Sequence, residues 1–161
     1  MNQRMRRALY VLFILYGLLM LWLLFGQRFG ADLSGTYWER IQNNLNLVPF
    51  RTIKEFIYTI SVTISPDLIR HSVINLAGNV VMFVPLGFFP PCIWNALRSF
   101  ARCMLWAAAC ILIIELVQLF TLLGSCDVDD LILNMVGVAI GYGLGRLVGW
   151  ILPYRNRTSS D

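Results

Sequence analysis

ARCMLWAAACILIIELVQLFTLLGSCDVDDLILNMVGVAIGYGLGRLVGWIL, residues 101–152, decides the fold class. Two apolar runs, Ala101 to Leu123 and Leu131 to Leu152, flank one polar turn, Gly124-Ser125-Cys126-Asp127-Val128-Asp129-Asp130. A helix rising 1.5 Å per residue crosses the bilayer hydrocarbon in about 20 residues. Each run meets that length, so the stretch reads as a transmembrane helical hairpin. Two further spans precede it. Ala8 to Phe25 carries no charge, and Ser72 to Trp94 is interrupted by Asn75, Asn79, Pro85 and Pro90-Pro91.

Composition agrees. Hydrophobic residues make up 58% and charged residues 14% of the 161, against about 45–50% and about 25% in soluble domains. A soluble monomer and a disordered chain are both excluded. The expectation is an all-α polytopic membrane protein, a single domain over residues 1–161. Four transmembrane helices form an antiparallel bundle, with an outer segment over residues 27–71. The four spans leave no room for a soluble catalytic domain.

The net charge of +4 comes from arginines at the ends of apolar runs and one lysine, Lys54. Nucleic-acid binding needs basic residues on one solvent face, so no nucleic-acid partner is expected. The distribution matches the positive-inside rule instead. With both termini in the cytoplasm, the inner side holds Arg4, Arg6, Arg7, Arg98, Arg102, Arg155 and Arg157, with Arg146 near the inner end of its span. The outer side then receives the turn 124–130, which has no Lys or Arg. The first span exceeds a signal-peptide h-region, and Phe25-Gly26-Gln27-Arg28 offers no small-x-small cleavage site, so it reads as an uncleaved anchor. The expected location is a membrane crossed four times with both termini cytoplasmic, and the lipid bilayer is the first partner.

Within the outer segment, Ser34-Gly35-Thr36 reads as a turn, and Pro49 suits an early helical position. Ile53, Phe56, Ile57 and Ile60 recur at helical spacing around Lys54 and Glu55, predicting an amphipathic helix on the outer leaflet. The four cysteines (Cys92, Cys103, Cys110, Cys126) share no oxidising compartment and make no disulfide. One histidine, His71, supplies neither a Cys/His zinc site nor a nucleophile's base. Gly141-Tyr142-Gly143-Leu144-Gly145 matches no phosphate or dinucleotide loop. The tail from Arg155 is polar and frays.

Polar residues at membrane depth carry the functional signal. Asn79, Glu115, Gln118 and Asn134 fall near one level of the outer leaflet, with Asn75 one turn above Asn79 and the acidic turn over them. Lipid exposure of a carboxylate costs about 2.5–3.5 kcal/mol or more, so such groups face the bundle interior or water. Asp130, Asn134, Gly137, Gly141 and Gly145 share one stripe at 100° per residue, and the glycines allow close helix packing. The pattern predicts an outward-open polar pocket with ligand-binding residues Asn75, Asn79, Glu115, Gln118, Asp127, Asp130 and Asn134. The same amides also serve as interhelical hydrogen-bond partners. No cofactor is implied other than a divalent cation on hard oxygen ligands, Asp127 and Asp130.

Four pieces in series resemble the VanZ family of bacterial membrane proteins, named for low-level teicoplanin resistance. They are Asn46-Leu47-Val48-Pro49-Phe50; Asn75-Leu76-Ala77-Gly78-Asn79 with Phe83-Val84-Pro85-Leu86-Gly87; Glu115-Leu116-Val117-Gln118; and Asp127-Val128-Asp129-Asp130 through Gly137. One departure is visible: Leu123-Gly124 stands where many members carry Gly-Arg. The resemblance implies a plasma-membrane protein linked to lipoglycopeptide sensitivity, and it implies no established catalytic activity. The expected function is binding of a lipid-linked cell-wall intermediate, headgroup or lipoglycopeptide. The alternative is an intramembrane enzyme acting on a lipid headgroup, with Glu115 as general base and a divalent ion on the aspartates. A small transporter subunit is a third reading.

Overall fold

A computed structural model of the chain describes residues 3–26 and 35–151. Gln27, Arg28, Ser34 and the tail from Arg155, all invoked above, lie outside the described residues. Helix α1 spans Gln3–Phe25, α2 Tyr37–Asn43, α3 Arg51–Val62, α4 Pro66–Ile93, α5 Phe100–Thr121 and α6 Val128–Ile151. A single 3₁₀ turn, Asn95–Arg98, joins α4 to α5. Two-residue strands, β1 (Leu45–Asn46) and β2 (Cys126–Asp127), pair in parallel.

Helices α1, α4, α5 and α6 are the four long apolar helices of the described residues. The fold is an all-α membrane bundle. Their buried side chains (Met20, Phe83, Leu86, Ala107, Ile111 and Val138) meet in one cluster to which all four contribute. The opposite faces remain bare, as on α1 at Leu12, Ile14, Leu15 and Leu18, which is how a lipid-facing surface is built.

Each expected span coincides with a helix, and the starts differ for local reasons. Helix α4 begins at Pro66 rather than Ser72, because proline's fixed φ and missing N–H suit a first turn. It runs unbroken through Pro85, Pro90 and Pro91. In the turn before Pro85, the Tyr16 hydroxyl of α1 donates to the Met82 carbonyl at 2.9 Å. Helix α6 begins at Val128 rather than Leu131. The Asp127 carboxylate accepts from the Asp129 N–H at 2.8 Å, as an N-cap does. Asp129 and Asp130 therefore sit in the first helical turn, not in the connecting loop.

The segment before α3 holds more order than its mixed composition suggested. Thr36 and Glu39 form a reciprocal capping box that starts α2. Glu39 Oε2 accepts from the Thr36 N–H at 2.8 Å. Helix α3 follows the expected amphipathic pattern but starts at Arg51, leaving Pro49 in the preceding turn.

Consecutive spans alternate in direction, so α4 and α6 run parallel, and glycine lets them nearly touch. A Cβ built on Gly137 would overlap the Val80 carbonyl oxygen, and one on Gly141 would overlap that of Val84. From the other side, a Cβ on Gly87 would overlap the Val138 carbonyl. Gly145 is looser, its Cβ position lying 3.3 Å from the Phe88 carbonyl oxygen. Backbone contact at this range gains dispersion energy and places Gly Cα–H groups against carbonyls.

Gly141→Ala is expected to force the two helices apart at a cost of about 1–3 kcal/mol, read as a lower Tm in detergent. Gly143→Ala, with nothing within 4 Å of its Cβ position, is expected to cause no loss.

Candidate functional site

The site is built where the acidic turn meets the segment between α1 and α4. The β1–β2 pair sets Leu45 opposite Cys126 and Asn46 opposite Asp127, and the Cys126 N–H donates to the Asn44 carbonyl at 2.8 Å. The segment thereby closes over one end of the bundle as a cap. Tyr37 of α2 reinforces it, its hydroxyl donating to the Phe120 carbonyl of α5 at 2.9 Å.

Two aspartates lock this cap to α6. Asp127 Oδ2 accepts from Thr52 Oγ1 at 2.6 Å and from Asn46 Nδ2 at 3.1 Å. Asn46 Nδ2 also donates to Thr52 Oγ1, and its Oδ1 accepts from the Val48 N–H. Asp129, 0% exposed, accepts from the Phe50 N–H through Oδ1 and from the Ile53 N–H through Oδ2. A side chain from α6 thus caps the N-terminus of α3. Phe50 holds the left-handed conformation, φ 63°, which costs a non-glycine residue roughly 1–2 kcal/mol. The charge-assisted bonds to Asp129 offset that cost.

Beneath the cap, Asn79 of α4 donates through Nδ2 to Asp130 Oδ1 of α6. Close glycine packing one turn below sets the two side chains within reach. Asn75, one turn above Asn79, is half-buried and joins none of these bonds. Glu115 is 5% and Asn134 2% exposed, and Asn134 Oδ1 has no hydrogen-bond partner among the described residues. On α5 the buried stripe Cys103, Ala107, Ile111, Glu115 and Gln118 aims Glu115 into the bundle rather than at lipid. Gln118 turns away from the others, donating through Nε2 to the Leu24 carbonyl at 3.3 Å. It satisfies one of the last carbonyls of α1, which no intrahelical N–H reaches.

The sequence-predicted residues therefore separate into two groups. Asn79 meets Asp130 across the α4–α6 contact, and Glu115 and Asn134 are buried on α5 and α6. Asp127 faces the cap itself, and Gln118 binds α1. Asn46, Thr52 and Asp129, absent from the predicted set, carry the lock. Asp129 gave one signal, an acid in the first turn of a helix, but its partners lie 76 and 79 residues away. Among the described residues, no group of three or more His, Cys, Asp or Glu is disposed to hold a metal ion. Asp127, offered above as a cation ligand, commits both oxygens to protein donors.

The electrostatics register at Cys126. Burial pushes its thiol pKa up, and the negative charges of Glu115, Asp127 and Asp130 raise it further.

The sequence pattern of the VanZ/LLP1 family matches residues 13–149. The chain belongs to that family. Neither a curated protein nor a solved structure matches it. The pieces that carried the VanZ resemblance map onto the lock and the residues beneath it. Asn46 to Phe50 meets Asp127 and Asp129, Asn79 meets Asp130, and Glu115 and Gln118 occupy adjoining turns of α5. Arg51, at the start of α3, forms an exposed ion pair with Glu55 at 3.2 Å.

Asp129→Ala is expected to release α3, since hydrogen bonds to a charged group contribute about 1.5–3 kcal/mol each. Hydrogen exchange at Phe50 and Ile53 should accelerate while exchange in α5 stays slow. Asp130→Asn removes one of the charges opposing thiolate formation, so the pH profile for maleimide labelling of Cys126 should move to lower pH.

Proposed function

We propose that this VanZ-family protein binds, in the outer leaflet, the polar part of a lipid-linked cell-wall intermediate or of a lipid-tailed glycopeptide, and so lowers sensitivity to teicoplanin-type drugs. The observation that carries the reading is the buried Asn134 acceptor without a donor among the described residues. It lies one turn below Asp130 on the α6 face turned to α4. A buried carbonyl left without a donor costs about 1–3 kcal/mol, which a ligand N–H or O–H would recover. Asp130, oriented by Asn79, and Asn134 meet the ligand in this scheme, and Glu115 forms the floor. Asp127 and Asp129 keep the cap above them.

The side of the membrane follows from charge. The end opposite the cap carries Arg4, Arg6, Arg7, Arg98, Arg102 and Arg146, all exposed, and the positive-inside rule assigns such an end to the cytoplasm. The cap then faces outward, where peptidoglycan precursors and glycopeptides meet. Family membership is consistent with teicoplanin resistance. Teicoplanin carries an acyl chain that vancomycin lacks, so a site at the outer leaflet discriminates between them.

The test is susceptibility of a Gram-positive host lacking any relative, expressing the wild type, Asn134→Ala, Asp130→Asn or Glu115→Gln at matched membrane levels. Wild type is expected to raise the inhibitory concentration of teicoplanin and leave vancomycin unchanged, with the gain lost in the variants. Protection surviving in all three variants overturns the proposal. Turnover of a lipid-linked substrate by purified wild type, abolished by Glu115→Gln, would replace binding with catalysis.

A further inference from the structure

The arginine end of the bundle holds a second arrangement that the outer site does not use. Every Asp and Glu among the described residues lies toward the cap: Glu39, Glu55, Asp67, Glu115, Asp127, Asp129 and Asp130. Among the described residues the charged side chains of the opposite end are therefore all basic, and Arg98, Arg102 and Arg146 form no ion pair with a described residue. It also carries aromatic rings at headgroup level. Trp94 packs against Tyr10, Phe13 and Trp106 with centroids 5.7–6.2 Å apart, as in the interfacial belts of membrane proteins.

One ring, Tyr142, joins the segments that carry two of these arginines. The Tyr142 hydroxyl of α6 donates to the Arg98 carbonyl at 2.6 Å, tying the 3₁₀ turn to α6. Phe100 packs edge-on against the same ring at 5.3 Å. Arg146 follows Tyr142 by four residues and so lies on the same helix face, one turn nearer the end. Cys92 of α4 packs at the same corner, its Sγ 3.6 Å from the Cβ position of Gly145. Arg102 sits about 200° round α5 from Phe100, away from this corner.

We propose that Arg98 and Arg146, on either side of Tyr142, clamp the phosphate of an anionic phospholipid of the surrounding leaflet. Two exposed guanidiniums offer forked donors that match phosphate oxygens. Phe100 and Tyr142 supply an apolar wall for the start of the acyl chains. The lipid stands as a tie between the 3₁₀ turn and α6, the joint at which the α4–α6 pair meets α5.

The full chain, purified in neutral detergent, would be titrated with phosphatidylglycerol, phosphatidylcholine and soluble glycerol phosphate, with bound lipid counted by native mass spectrometry. Phosphatidylglycerol is expected to bind in preference to phosphatidylcholine, and Arg98→Gln and Arg146→Gln each to weaken it about fivefold, taking roughly 1 kcal/mol per arginine. Arg102→Gln is expected to retain it. Equal binding of the two lipids, equal loss in Arg102→Gln, or glycerol phosphate displacing the lipid each overturns the clamp. Should the glutamine variants fail to fold, hydrogen exchange on the wild type decides. Protection by phosphatidylglycerol confined to residues 95–100 and 142–148 supports the clamp, and protection elsewhere or none overturns it.

Discussion

One buried carboxylate holds the described architecture together outside the lipid. Asp129 lies in the first turn of α6, fully enclosed, and its oxygens take the Phe50 and Ile53 N–H groups of the α3 N-terminus. A buried charge is tolerable when hydrogen bonds satisfy it, and here the bonds come from backbone that would otherwise be orphaned. The same contact seats Phe50 in its left-handed conformation and aligns Asn46 and Thr52 with Asp127. Without it, α3 keeps the Thr52–Asp127 bond and its packing on α4, as of Phe56 on His71.

The second constraint is steric and sits one level deeper. Gly137 and Gly141 of α6 face the carbonyls of Val80 and Val84, and Gly87 of α4 faces Val138. No larger side chain fits at these three points. This contact fixes the register of two parallel helices that are not neighbours in sequence, and the register brings Asn79 to Asp130. The polar level under the cap is thus a consequence of apolar packing beneath it. Asn134 is buried on the same stripe, and its Oδ1 has no hydrogen-bond partner among the described residues.

The two ends of the bundle differ in kind. Carboxylates and amides gather beneath the cap, and exposed arginines crowd the 3₁₀ turn with an aromatic belt around Trp94. A protein of this size keeps so uneven a charge distribution because lipid separates the ends, so neither can neutralise the other. The polar end has side chains enclosed by structure and suited to one recognised group. The arginine end has open guanidiniums suited to the membrane's own phosphates.

The four spans, the amphipathic α3 and the glycine stripe were legible in the sequence, because span length, helical periodicity and the absence of lysine and arginine from the acidic turn are local properties. The depth of Asn79, Glu115 and Asn134 followed from counting residues along straight helices. The capping box of Thr36 and Glu39 was equally local, although the mixed composition around it obscured α2. The lock was not legible. Asp127 and Asp129 resemble ligand carboxylates until Asn46, Thr52, Phe50 and Ile53 arrive from some 75 to 81 residues away, and no local pattern encodes that meeting. The sequence by itself determined which segments enter the membrane and which residues are too polar to face lipid. Only the tertiary structure decided which of those residues bond to one another and hold the protein together, because a hydrogen-bond donor's partner is set by three-dimensional register rather than by residue type.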